Sequence, residues 1–100
     1  LVFDEVDAGI GGRAAEVVGR KLKHVASANQ VLCVTHLPQI ASFADHHYFV
    51  EKAEVNGRTT ATAKELAGDA RIREIGRMLS GEKLTPEALK HARKLVEISF

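Results

Sequence analysis

Two adjacent carboxylates, Asp4 and Glu5, close the apolar run Leu1-Val2-Phe3, and a histidine, His36, closes a second apolar run 31 residues past Glu5. A carboxylate at the end of a strand can hold a divalent cation through water. A second carboxylate beside it can orient or deprotonate a water, a role worth on the order of 10²–10⁴ in rate. Neighbouring strand residues point to opposite faces, so one acid can serve the metal while the other serves the water. A neutral imidazole donates one hydrogen bond and accepts another, which suits contact with a phosphate oxygen. Metal-assisted hydrolysis of a bound nucleotide is the chemistry these three residues could do together. Their structural alternatives are solvated acids at a strand end and a satisfied histidine.

The segments between these residues decide whether they can meet. Residues 13–28 read as a helix with Ala14, Val17, Val18, Leu22 and Val25 on an apolar face and Arg13, Glu16, Arg20, Lys21 and Lys23 opposite. Gln30-Val31-Leu32-Cys33-Val34-Thr35-His36 reads as a second strand. Strand, helix and strand make a crossover, which places the two strands parallel and carries Glu5 and His36 to the same C-terminal rim, where open α/β sheets bind ligands. Between strand and helix, Gly9, Gly11 and Gly12 suit a tight turn.

LVFDEVDAGIGG (residues 1–12) followed by VLCVTHLPQIA (residues 31–41) resembles the Walker B, D-loop and switch-histidine region of the ABC-type ATPases of the structural-maintenance-of-chromosomes (SMC) group. The resemblance covers the whole chain, and its first 45 residues are the specific part. It implies an α/β fold: the C-terminal half of a P-loop NTPase-like head, residues 1–100, with a mostly parallel sheet, flanking helices and a β-hairpin. It further implies that Asp4 holds Mg²⁺ through water, that Glu5 is the general base, and that His36 senses the γ-phosphate of ATP. Asp7, Ala8, Gly9, Ile10, Gly11 and Gly12 would form the D-loop along a dimer interface. The common pattern ends that loop on an aspartate; here Gly11 stands at the position, and Asp7 does not inherit the role.

The chain contains no G-x-x-x-x-G-K-[ST] loop to hold phosphates, so the expectation is a C-terminal piece with negligible ATPase activity alone. The resemblance supplies the rest: an N-terminal half of the same head bearing the Walker A loop, a coiled coil between the halves, and a second head of a homodimer with ATP and Mg²⁺ sandwiched between. Cycles of binding and hydrolysis would act on DNA, in recombinational repair of double-strand breaks. Leu79-Ser80-Gly81-Glu82 is similar to the L-S-G-G signature of such ATPases, but it follows Walker B instead of preceding it, and reads better as a helix end.

The remaining chain is more structural than chemical. Leu37 to Ala44 reads as a short helix with Pro38 in its first turn. His47–Glu54 and Arg58–Glu65 flank Asn56-Gly57, a hairpin signal, with alternation that suits one drier face. Asp69 to Leu79 reads as a helix with Asp69 as N-cap and Gly81 past its end, and Pro86 to Ile98 as a helix capped by Thr85, burying Leu89, Ala92, Leu95 and Val96. Asp45, His46 and His47 make a poor metal site, because adjacent strand histidines face apart. Arg71, Arg73, Arg77, Lys90, Arg93 and Lys94 interleave with Glu74, Glu87 and Glu97; a solvated face is the default and DNA contact the alternative.

One hundred residues allow one domain, and 45% apolar content is that of an ordinary globular chain. A net charge of +1 makes no electrostatic case for nucleic acid or an anionic membrane. The single Cys33 sits mid-strand and reads as a small buried hydrophobe. No apolar run is long enough to span a membrane, and the expected location is the cytoplasm, at the nucleoid. Two other classes stay open: a non-catalytic interaction module, and a metal-dependent hydrolase using Asp4, Asp7 and His36.

Overall fold

The computed structural model of the chain describes residues 1–4, 9–81 and 83–99. Its elements run β1 (Val2–Asp4), α1 (Gly12–Ala26), β2 (Leu32–Val34), α2 (Pro38–Ala41), β3 (His47–Val55), β4 (Arg58–Leu66), α3 (Asp69–Ser80) and α4 (Pro86–Ser99). The fold is α/β. β1 and β2 are parallel, with Val2 opposite Leu32, Phe3 opposite Cys33 and Asp4 opposite Val34.

The expected mostly parallel sheet is, among the described residues, two separate two-stranded sheets, one parallel and one antiparallel. Connection length explains this: a parallel pair needs a crossover, and α1 provides one, whereas the two-residue turn after Val55 forces β3 and β4 antiparallel. Asn56 (φ 52°) and Gly57 (φ 76°) hold the left-handed conformations that such a turn requires.

α1 buries Ala15 and Gly19, while Ala14 and Val17 are exposed and Val18, Leu22 and Val25 are half-buried. The buried stripe is therefore rotated from the face that the large apolar residues mark. Phe43 is the cause: a Cβ on Gly19 would stand 2.4 Å from its Cδ2 and 3.2 Å from the Gln39 carbonyl oxygen. Small residues one turn apart let the helix approach that ring closely.

The main core lies between α3 and α4. Ile75, Ala92 and Ala41 are buried there, with Ile72, Met78, Leu79, Leu95 and Val96 packed around them. Gly76 lets the pair approach: a Cβ there would stand 3.5 Å from the Ala88 carbonyl oxygen on α4 and 2.7 Å from Cδ1 of Leu84 in the loop before it. Gly81 (φ 84°) ends α3 and donates its N–H to the Arg77 carbonyl at 2.9 Å, so Leu79-Ser80-Gly81 closes a helix, as expected. The N-cap of α3 is Gly68, and Asp69 is instead its first helical residue, still well placed against the helix dipole. Thr85 Oγ1 accepts the Ala88 N–H at 3.1 Å and caps α4.

α2 is tied to this core from two sides. The buried Ser99 hydroxyl, near the end of α4, donates to Ser42 Oγ at 3.0 Å. Arg71, on α3, donates through Nη2 to the carbonyl oxygens of Ser42 at 3.0 Å and Ala44 at 2.7 Å, with Ala41 at 3.3 Å. The guanidinium thus serves the Ser42 and Ala44 carbonyls past the end of the short helix, and adds a second donor to the Ala41 carbonyl, which already accepts the Ala44 N–H at 3.1 Å. Among the described residues no helix is long and apolar enough to cross a membrane.

Candidate functional site

The parallel register sets the rim. Asp4 is the last residue of β1, it lies opposite Val34, and its side chain is exposed. His36 follows two residues past Val34 and is exposed too. Thr35 shapes the exit from β2: its Oγ1 accepts the Leu37 N–H at 3.0 Å, a local turn that leads into α2. Glu5, Asp7 and Ala8 lie outside the described residues, as does Glu82.

Of the expected D-loop, Gly9 (φ 74°) adopts a backbone conformation open chiefly to glycine. Ile10 is half-buried, Gly11 is the N-cap of α1, and Gly12 is its first residue. Gly12 lies close to α2, with Gln39 Nε2 3.5 Å from where its Cβ would stand. The start of α1 and the helix after His36 therefore lie against each other.

β1 and β2 expose one face. Val2 is 72% exposed, Leu32 58% and Val34 55%, whereas Phe3 and Cys33 on the other face are half-buried. Burying a valine or leucine side chain fully is worth about 1.5–3 kcal/mol, so an uncovered row of three is costly in water. Beside it opens a groove of about 1140 Å³ lined by Leu32, Val34, His36, Ile40, Phe43, Tyr48 and Val50 among others. His36 faces this groove; Asp4 is not part of its lining. The structure thus gathers Asp4, Gly9 to Gly12 and His36 at one end of the parallel pair, with His36 alone turned to the groove.

Among the described residues no three of His, Cys, Asp and Glu converge as a metal site. His46 Nδ1 pairs with Glu65 Oε1 at 2.9 Å on the surface, while His47 turns inward. The His47 Nδ1 is buried without a hydrogen-bond partner. Burial, then the Arg71 guanidinium, push the His47 pKa below its ordinary value, and Glu74 partly offsets them. Arg71 is itself pulled below its usual value by burial, against Asp45. Neither the inward turn of His47 nor the carbonyl-binding role of Arg71 has a local pattern in the sequence. The only signal was one basic residue, Arg71, preceding an apolar helix stripe.

No family model matches the chain. Individual proteins do. The chain is 55% identical over 96 residues to the DNA repair protein RecN of Deinococcus radiodurans, a match that covers 96% of this chain and 17% of that protein. It is 48% identical over 96 residues to RecN of Streptomyces coelicolor, covering 96% and 17%. It is 42% identical over 97 residues to RecN of Bacillus subtilis, covering 97% and 17%. The chain therefore spans less than a fifth of the length of the curated relatives it matches.

Proposed function

Because the chain corresponds in sequence to the C-terminal part of the much longer DNA repair protein RecN, we propose that it is the C-terminal lobe of an SMC-like ATPase head acting in recombinational repair of DNA double-strand breaks. The observation that carries this is the parallel register of β1 and β2, which sets Asp4 and the segment leading to His36 at the same strand ends. Ligands of open α/β sheets bind at that rim.

The donor chemistry fits the group this function needs. Asp4 offers an exposed, hard oxygen ligand, and Mg²⁺ binds through one or two carboxylates and keeps several waters, so no larger protein cage is required. When bound, the ion would neutralise charge developing on the β- and γ-phosphates of ATP. Asp4 would hold the ion's water shell. Glu5, the next residue, would orient the attacking water and accept its proton. His36 would hydrogen-bond the γ-phosphate from the end of β2. Gly9 to Gly12 would face a second head, with Asp7 and Ala8 completing that loop.

The exposed face of Val2, Leu32 and Val34 supports a covering layer from the N-terminal half of the same head, which would also bring the Walker A loop. The expected location is the cytoplasm, at the nucleoid. The test is Asp4→Asn in the full-length protein: ATP turnover should fall and the Mg²⁺ concentration needed for half-maximal turnover should rise. Unchanged turnover at every Mg²⁺ concentration would exclude Asp4 from the site.

A further inference from the structure

Away from the rim, α3 and α4 enclose a recess of about 90 Å³ lined by Asp69, Ile72, Arg73, Leu89 and Arg93. Arg73 comes from one helix and Arg93 from the other. Both are exposed, and among the described residues neither forms a hydrogen bond or ion pair. Two guanidinium groups drawn to one recess repel each other unless an anion sits between them. Asp69 is present on the wall but pairs with neither.

The surroundings extend the positive charge along one helix. Lys90 and Lys94 flank Arg93 on α4, three residues before and one after, and both are exposed and, among the described residues, without an ion-pair partner. At 1.5 Å per residue they are about 6 Å apart along the helix. Asp69 lines the recess itself, and Glu87 and Glu97 interleave with the cations on the same face of α4, three residues before Lys90 and three after Lys94, all exposed, so the four cations exceed the acids by one. Contrast Arg77, on the same helix as Arg73: it is held by Glu74 and lies 5.9 Å from the Phe49 ring centroid. Free arginines at a recess with an apolar floor, beside free lysines on an open face, fit an extended polyanion better than a small enclosed ligand. The planar guanidinium can take a phosphate oxygen pair bidentately.

We infer that the recess between α3 and α4 is a contact for the DNA backbone, with Arg73 and Arg93 grasping a phosphodiester and Lys90 and Lys94 lying along neighbouring phosphates. This rests on the repair function proposed above, and it adds where the lobe meets DNA. Such contacts carry no base information, so the surface would bind without sequence preference.

The experiment measures binding of the full-length protein to a duplex oligonucleotide across a salt series, with the double substitutions Arg73→Ala/Arg93→Ala and Arg73→Lys/Arg93→Lys. Two lost phosphate contacts should lower the slope of log affinity against log salt by about two and weaken binding roughly tenfold at moderate salt. The lysine pair should keep most of the slope, which a purely structural role would not predict. ATP turnover without DNA should stay at the unsubstituted level in both. Equal affinity and slope in the alanine variant would overturn the inference and leave the repair function standing; the recess would then suit an acidic protein segment. No DNA binding by the unsubstituted protein would overturn both.

Discussion

Asp4 stands opposite Val34 in the parallel pair, and that single register position aligns the carboxylate-bearing end of one strand with the segment that leads to His36. A one-residue slip would turn Asp4 to the face of Phe3 and Cys33, which is half-buried. The register is held by few residues, since each strand is three long. The helices that follow the two strands, α1 and α2, pack on each other, and α2 packs on α3.

Gly19 stands in the first of these contacts. Replacing it with alanine would improve helix propensity by about 1 kcal/mol. The new Cβ would, however, meet Phe43 carbons at 2.4 and 2.9 Å and the Gln39 carbonyl oxygen at 3.2 Å. Overpacking costs typically about 1–3 kcal/mol, and a backbone atom cannot swing away as a side-chain tip can, so the net change should be destabilising. Urea denaturation should show a lower midpoint for Gly19→Ala, with partial recovery on adding Phe43→Leu.

Arg71 stands in the second. Its Nη2 serves the carbonyl oxygens of Ser42 and Ala44, so Arg71→Met keeps much of the stem and leaves those carbonyls unpaired. A hydrogen bond from a charged donor is worth about 1.5–3 kcal/mol, and a loss of that order is expected by denaturation. Hydrogen exchange should quicken in residues 40–44 more than in β4.

Some of this was legible in the sequence and some was not, for definite reasons. Asn56-Gly57, Gly81 and Thr85 announce a hairpin, a helix end and a cap because each answers a local backbone demand, and each is found in that role. The large apolar residues of α1 mark a face that is only half-buried, because the closest packing is made by the small Ala15 and Gly19, with Gly19 against the Phe43 ring, distant in sequence. Small residues four apart were the available clue. The chemistry-bearing residues were visible as types and spacing, and the parallel pairing that aligns Asp4 with β2 follows from the strand-helix-strand order. Arg71's reach to α2 depends on tertiary packing and has no pattern of its own.

His47 gives a pH dependence with a definite sign. Its folded pKa lies below the ordinary 6.5, chiefly through burial and then through Arg71, with Glu74 opposing. The unfolded chain thus binds the proton more readily, so the stabilising contribution of neutral His47 is full above the unfolded value and is lost as pH falls through it toward the folded pKa. Unfolding free energy should decline as pH falls below the ordinary histidine value of 6.5, and His47→Gln should flatten that decline. An equal slope in the variant would assign the effect to other groups.

The uncovered row of Val2, Leu32 and Val34 predicts a dependence on the rest of the protein. Expressed alone, the 100-residue chain should bind a hydrophobic dye such as ANS and show negligible ATP turnover, and co-expression with the N-terminal half should quench the dye signal. Val34→Asp should weaken that association while leaving helix content in the isolated chain unchanged.

The most direct test of the central claim, that the rim of β1 and β2 is half of a nucleotide site completed by assembly, is ATP turnover by the full-length protein carrying Glu5→Gln. The expected result is retained Mg²⁺-dependent ATP binding with a more persistent head dimer, and hydrolysis lowered on the order of 10²–10⁴-fold. Turnover equal to that of the unsubstituted protein would contradict it.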